Sequence, residues 1–230
     1  MSTIAIGLDD FRALARSAPW LWRSFTAVVT NAEGGSVDFG REPIRVTTNR
    51  DGALEATRLD GEVLKSERAT PGEWPDRDAL LAEATRRPDG LVTHRVDSPP
   101  DLDCALIQSY QWVAITDPRE LVESAWSGEA SDALIEDLRV EVIDGRETWC
   151  ATVTPAQDYD PRCSCCALMT GTVSLAIDQI GDWEDRARGA STRFAVGLDR
   201  QTGVVSHLRH LDGKTAGEGW DIRIESVAPH

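Results

Sequence analysis

Asp-Gly dipeptides recur along this sequence and predict an antiparallel β-protein. Asp-Gly is the strongest short-range hairpin signal, because the type I′ turn needs a positive φ at both central residues. Four of these dipeptides lie beside short β-prone runs, at Asp51-Gly52, Asp60-Gly61, Asp144-Gly145 and Asp212-Gly213. The first two predict a three-stranded meander over residues 44–65, and the third predicts a hairpin of residues 138–143 with 147–153.

The last third of the chain predicts a second meander. Phe194, Val196 and Leu198 alternate along one strand, and residues 204–211 return after a turn. The final strand alternates two sets of residues, Trp220, Ile222 and Ile224 against Asp221, Arg223 and Glu225. Such alternation is typical of a sheet with one buried face and one face in water.

Two segments outside the meanders predict short helices. Asp9 begins an amphipathic stretch that reaches residue 16, and Pro19 ends it. Asp76 caps a second amphipathic stretch over residues 76–87. Asp is a favoured N-cap residue, and proline is a poor residue for a helix interior.

The segment 110–126 predicts a strand followed by a helix. Alternation over residues 110–115 places Tyr110 and Trp112 on one face of the strand. The motif Asp117-Pro118-Arg119-Glu120 then supplies an Asp N-cap, a proline at the first helical position and a glutamate in the capping box. We therefore expect a helix from this motif to residue 126.

These elements predict the α+β fold class. The two meanders would form one strongly curved antiparallel sheet, with the helices 76–87 and 118–126 covering its concave face. A chain of 230 residues is close to the upper limit for one hydrophobic core. We expect a single domain over residues 1–230, with a cysteine-rich loop insertion around residues 155–190.

Three stretches resemble the LolA and LppX family of lipoprotein carriers. They are Tyr110-Gln111-Trp112 leading into Asp117-Pro118-Arg119-Glu120-Leu121, then Asp144-Gly145-Arg146, and the strand-turn-strand of residues 198–205. The resemblance implies a half-barrel whose concave side holds acyl chains or a partner segment. The chain differs from these carriers in its cysteine-rich loop and in the absence of a recognisable signal peptide or lipobox.

The resemblance and the alternation together predict an apolar binding cavity. Its wall would consist of six residues from the sheet, namely Tyr110, Trp112, Phe194, Val196, Trp220 and Ile222. The predicted ligand is an apolar small molecule or an extended protein segment. The principal hypothesis is therefore a binding protein without catalytic activity.

A cluster of cysteines supports a second hypothesis. Cys163, Cys165 and Cys166 place three thiols within four residues, and Cys150 or Cys104 would complete a tetrahedral site for Zn²⁺ or Cu(I). Arg162 beside them would favour ionised thiols. The alternatives are a redox switch and simple packing of small side chains.

An enzyme is the third hypothesis, with a site assembled from scattered residues. The sequence contains no P-loop, nucleophile elbow, zincin helix or dinucleotide fingerprint. His207 and His210 are three apart on a predicted strand, so we expect them on opposite faces.

The cellular location is predicted from two absences. The apolar N-terminal stretch ends at Asp9 and Asp10, which is too early for a secretory signal, and no run approaches the roughly 18 apolar residues of a membrane helix. We expect a cytoplasmic chain without membrane insertion, whose cysteines are reduced.

The charge balance predicts poor binding to nucleic acid. Lys and Arg number 24 and Asp and Glu 39, a formal net charge of −15, and the basic residues are scattered along the chain. Release of counterions from phosphates would therefore contribute little to affinity. Anisotropy titration of mixed-sequence DNA and RNA should give no saturable binding, and binding at roughly low micromolar concentration in physiological salt would contradict this prediction.

Overall fold

A computed structural model describes residues 6–32, 42–50, 52–68, 82–95, 110–124, 129–179 and 181–229. The strands are β1 Trp22–Asn31, β2 Ile44–Asn49, β3 Ala53–Arg58, β4 Val63–Arg68, β5 Thr85–Arg86, β6 Val92–His94, β7 Leu134–Ile143, β8 Arg146–Thr154, β9 Phe194–Asp199, β10 Val205–His210 and β11 Gly219–Pro229. The helices are α1 Leu8–Leu21, α2 Gln111–Thr116, α3 Thr172–Asp178 and α4 Trp183–Ala187, and 3₁₀ turns lie at Arg119–Leu121, Ser164–Cys166 and Gly213–Thr215.

Nine strands form one antiparallel sheet. Their order is β4-β3-β2-β1-β11-β10-β9-β8-β7, and β5 and β6 form a separate hairpin. Strand β1 joins the two predicted meanders, because it pairs with β2 on one side and with β11 on the other, where Val29 lies opposite Ile222. The order begins at β4 and ends at β7, so these nine strands form an open sheet. This confirms a mainly antiparallel sheet with few short helices; the half-barrel stays a prediction.

The glycines of these four Asp-Gly dipeptides lie at chain reversals, as predicted. In the turn between β7 and β8, Asp144 has φ 51° and Gly145 has φ 79°, the two positive values of a type I′ turn. Gly52 and Gly61 also have positive φ, in the two turns of the first meander. Between β10 and β11, Gly213 begins a 3₁₀ turn, so this connection is longer than a two-residue hairpin.

The prediction of a strand at residues 110–115 was wrong, because this segment forms helix α2. Trp112, Val113, Ala114 and Ile115 are all buried. Burial on every side removes the amphipathic pattern, and a short apolar run cannot be assigned to helix or strand from its periodicity.

The helix predicted from residue 118 to residue 126 is a single 3₁₀ turn, Arg119–Leu121. Residues 125–128 lie outside the described residues. Neither predicted capping group acts as a cap, because Asp117 binds Arg95 and Arg162 while Glu120 binds Tyr159. The helix-start motif is therefore used for tertiary contacts.

The other two predicted helices differ in their bounds. Helix α1 has Gly7 as its N-cap and continues through Pro19 to Leu21, because Phe11, Leu14 and other buried residues hold it against the core. Most of the helix predicted over residues 76–87 lies outside the described residues, and Thr85–Arg86 at its end are strand β5.

One apolar core lies between the sheet and a second layer, here called the cover. The cover consists of α1 and residues 91–95, 110–124 and 159–169. The core residues from the sheet include Phe25, Val29, Ile44, Val46, Trp149, Val153, Phe194, Val196, Trp220 and Ile222, and those from the cover include Phe11, Leu14, Leu91, Trp112, Ile115, Leu121 and Leu168. The face of the sheet that they share is its inner face.

Gly203 lies where a sheet turn packs closely against α1. Its φ is 69°, and a Cβ at this position would lie 2.9 Å from the Leu14 carbonyl oxygen and from Ala18 Cα. The turn therefore needs glycine both for its backbone conformation and for its contact with the helix.

Gly203→Ala should destabilise the protein by about 3 kcal/mol, through a left-handed backbone and a steric clash together. Gly145→Ala is the matched control, since Gly145 has φ 79° and nothing lies within 4 Å of the added Cβ. That control should cost about 1 kcal/mol, for the backbone conformation alone. Urea denaturation measures both, and equal losses would contradict the predicted packing of the turn on α1.

Candidate functional site

Asp117 is the centre of a buried ion network in the cover. Its Oδ1 accepts a hydrogen bond from Arg95 Nη1 at 2.7 Å, and its Oδ2 accepts one from Arg162 Nη2 at 2.6 Å. The side chains of Asp117, Arg95 and Arg162 are 0%, 5% and 3% exposed. Three segments that are distant in sequence therefore meet at one carboxylate.

Glu123 connects the same network to α1. Its Oε1 accepts from Arg119 Nε at 2.9 Å, and its Oε2 accepts from Arg16 Nε at 2.8 Å. The Arg95 guanidinium also lies over the Trp20 ring of α1, 4.9 Å from its centroid. The long helix and residues 110–124 thus form one connected unit.

Glu120 holds both ends of the loop that carries the cysteine cluster. Its Oε1 accepts hydrogen bonds from the Tyr159 hydroxyl at 2.5 Å and from the Leu168 N–H at 2.7 Å. Its Oε2 accepts from the Arg162 N–H at 3.3 Å. Residues 162 and 168 are therefore anchored to a single buried carboxylate.

Burial and pairing shift the pKa values of these groups in different directions. Burial raises the pKa of Glu120. Burial alone would also raise the pKa of Asp117, but the charges of Arg95 and Arg162 outweigh it and hold that pKa far below its ordinary value. Burial, together with the Glu120 carboxylate, raises the pKa of Tyr159 well above 10.0. These side chains are closed off from solvent, so the network serves to hold the cover together.

Five of the six predicted cavity residues lie in the apolar layer between sheet and cover. Phe194, Val196, Trp220 and Ile222 are buried on the inner face, as their alternation predicted. Trp112 belongs to α2 in the cover, and its ring lies 6.2 Å from that of Phe25 on β1. Tyr110 precedes α2 and is partly buried. Their role in ligand binding stays a prediction.

The cysteines are divided between the two faces of the sheet. Cys163 and Cys166 lie in the cover, at the 3₁₀ turn Ser164–Cys166. Cys150 is in β8, on the outer face beside Gly197, and burial raises its pKa to about 11. Arg162 is paired with Asp117. Cys104 and the side chain of Cys165 lie outside the described atoms.

The metal hypothesis keeps the status of a prediction. Within the described residues, no group of three His, Cys, Asp or Glu side chains is placed to hold a metal ion. A site with Cys150 would also need ligands from the outer face of the sheet.

The outer face carries a cross-strand pair that sequence analysis missed. His207 Nδ1 lies 2.7 Å from Asp221 Oδ1, and Arg209 forms an ion pair with the same carboxylate. His210 contacts the Phe194 ring on the inner face, so the two histidines do point to opposite faces. The sequence could have indicated this pair only if β10 and β11 had been aligned in the register that places His207 opposite Asp221.

Comparison with known proteins gives little further information. No protein family model and no curated protein matches the chain. One similar solved structure is a DUF1329 family protein from Desulfovibrio piger, with 11% sequence identity and a TM-score of 0.28 over 95% of this chain and 91% of that chain. A similarity at this level supports no inference about function, and the relation to LolA and LppX stays a prediction.

Among the helices of the described residues, none has the length and apolar character needed to cross a bilayer.

Asp117→Asn should destabilise the protein by about 3 kcal/mol, because it leaves two buried guanidinium groups without their shared anion. The matched control is Asp158→Asn, at an exposed position directly before the cover segment 159–169, which should change stability by no more than about 0.5 kcal/mol. Urea denaturation at neutral pH compares the two variants.

The same substitution should change how stability depends on pH. The pKa of Asp117 is lower in the folded protein than its ordinary 3.8, so its contribution is present above that value and is lost as the pH falls. Wild type should therefore lose stability more steeply than Asp117→Asn between about pH 4 and pH 2. Parallel curves for the two proteins would contradict a paired, ionised Asp117.

Proposed function

We propose that this protein is a non-catalytic binding protein that holds an apolar ligand, such as an acyl chain, between the inner face of the sheet and the cover. One observation carries the proposal: the ion pairs lie within the cover, whereas the contacts between the cover and the sheet are mainly apolar. The predicted half-barrel would likewise hold its ligand between a sheet and the segments that cover it.

The ion network lies within the cover. Arg16, Arg95, Asp117, Glu123 and Arg162 all belong to cover segments, and their described ion pairs connect those segments to one another. Such directional contacts keep the cover intact as a unit, because breaking one would leave a buried charge unpaired.

Contacts between the cover and the inner face are mainly apolar. Trp112 packs on Phe25, and Leu14 and Ile115 belong to the same core as Val196 and Trp220. Apolar contacts are non-directional, so an acyl chain inserted there would replace one set of apolar neighbours with another and would cost few hydrogen bonds. We therefore place the proposed apolar ligand in this layer.

The polar groups do not favour an enzyme. The carboxylates Asp117, Glu120 and Glu123 are each 3% exposed or less, so they have little access to a substrate. Ligand sites of binding proteins are mostly apolar, which fits the layer between sheet and cover.

A brominated long-chain fatty acid should quench the tryptophan fluorescence of the native protein saturably, because bromine quenches an indole ring only at close contact. Trp112→Phe and Trp220→Phe should each reduce the quenched fraction, since both rings lie in the proposed layer. Trp183→Phe is the matched control, because Trp183 packs in a separate small cluster with Leu175, Ala187 and Ala190.

Trp112→Ala should weaken binding by about tenfold, through the loss of apolar contact area. Circular dichroism of each variant confirms that the fold is retained. Two results would exclude a ligand between sheet and cover. One is quenching of folded wild type that does not saturate, and the other is quenching that only Trp183→Phe reduces.

A further inference from the structure

Two of the clustered cysteines form a Cys-x-x-Cys pair in a hydrogen-bonded turn. Cys163 precedes the 3₁₀ turn Ser164–Cys166, and the Cys166 N–H donates to the Cys163 carbonyl oxygen at 3.4 Å. A turn of this kind brings the first and fourth Cα atoms within about 7 Å. A disulfide needs Cα atoms about 4.4 to 6.8 Å apart, so the two ranges overlap.

The backbone on each side of this pair is anchored. Glu120 accepts hydrogen bonds from the N–H groups of Arg162 and Leu168, the residues just before and shortly after the pair. Within the turn, Ser164 Oγ donates to Asp178 Oδ1 of α3 at 3.1 Å. A turn held at these points keeps the two cysteines close together, which favours reaction between them over reaction with a second molecule.

Both residues of the pair, Cys163 and Cys166, are partly exposed, whereas Cys150 is buried. A thiol in apolar surroundings reacts slowly, because the thiolate is the nucleophile. Cys150 therefore serves as an internal reference for any reagent that attacks accessible cysteines of the folded protein.

We propose that Cys163 and Cys166 form a reversible dithiol–disulfide pair that exchanges with low-molecular-mass disulfides. The thiolate of one cysteine attacks a disulfide RS–SR, forms a mixed disulfide and releases RS⁻. The thiolate of the second cysteine then attacks the protein sulfur of the mixed disulfide, forms the Cys163–Cys166 bond and releases a second RS⁻. The two protons lost by the protein thiols neutralise the two RS⁻ ions, so the protein is oxidised by two electrons and RS–SR is reduced to two RSH.

This proposal is independent of the apolar-ligand function. It differs from the sequence-based metal hypothesis, which treated Cys163, Cys165 and Cys166 as equivalent ligands. The turn distinguishes the first and last of them as partners. It also predicts that Cys165 is dispensable.

The test uses full-length protein with Cys104→Ser, treated with oxidised glutathione and analysed by intact mass spectrometry. This protein should lose the mass of two hydrogen atoms and retain no glutathione, and dithiothreitol should restore its original mass. A further Cys165→Ser change should give the same result.

Cys163→Ser and Cys166→Ser, each combined with Cys165→Ser, should stop at the mixed disulfide and accumulate it about tenfold over the paired protein, because no resolving thiol remains. Cys150 should resist alkylation in every variant, which verifies that each one is folded. The proposal is overturned if the Cys104→Ser, Cys165→Ser protein also stops at the mixed disulfide or leaves both thiols unreacted. It is equally overturned if Cys163→Ser or Cys166→Ser still closes an internal disulfide when Cys165 is present.

Discussion

Three buried carboxylates from one short segment hold the cover together. Asp117, Glu120 and Glu123 lie within seven positions, and their partners come from α1, from residue 95 and from residues 159–168. Taking these charges out of water is costly, and only the partner groups offset that cost. The position of each cover segment therefore depends on the others, and the segment 117–123 is the common attachment point.

The forces within the cover and those beneath it have different character. Ion pairs and charge-assisted hydrogen bonds demand particular geometries, so they define how the cover segments are arranged. Apolar contact with the sheet depends chiefly on area and tolerates displacement more readily. We therefore expect the cover to resist displacement along its own plane more strongly than displacement toward the sheet. This difference is the physical basis of the proposed ligand position.

The cysteine loop is connected to the same chemistry. Glu120 anchors the loop through backbone N–H groups, and Asp117 binds the Arg162 side chain immediately before Cys163. The dithiol pair is thus carried by the part of the cover with the most buried polar contacts. Cys150 illustrates the opposite environment, because the sheet surrounds it and burial raises its pKa to about 11.

The sequence by itself determined most of the strands and turns of the sheet. Asp144-Gly145 selects a type I′ turn through its own backbone preferences, and the alternation of Trp220, Ile222 and Ile224 assigns a face to each residue of β11. These are properties of neighbouring residues, so local patterns are sufficient to predict them. The inner-face residues Phe194 and Val196 were found in the same way.

Only the tertiary structure decided the cover. Residues 110–121 contain a good strand pattern and a good helix-start motif, yet they form a helix and then a 3₁₀ turn. Asp117 and Glu120 bind Arg95, Tyr159 and Arg162, which lie 22 to 45 positions away along the chain. The proposed pairing of Cys163 with Cys166 likewise depends on a turn anchored from Glu120. Contacts between such distant residues leave no periodic signal in the sequence, and they outweigh the small local preferences that capping and alternation express.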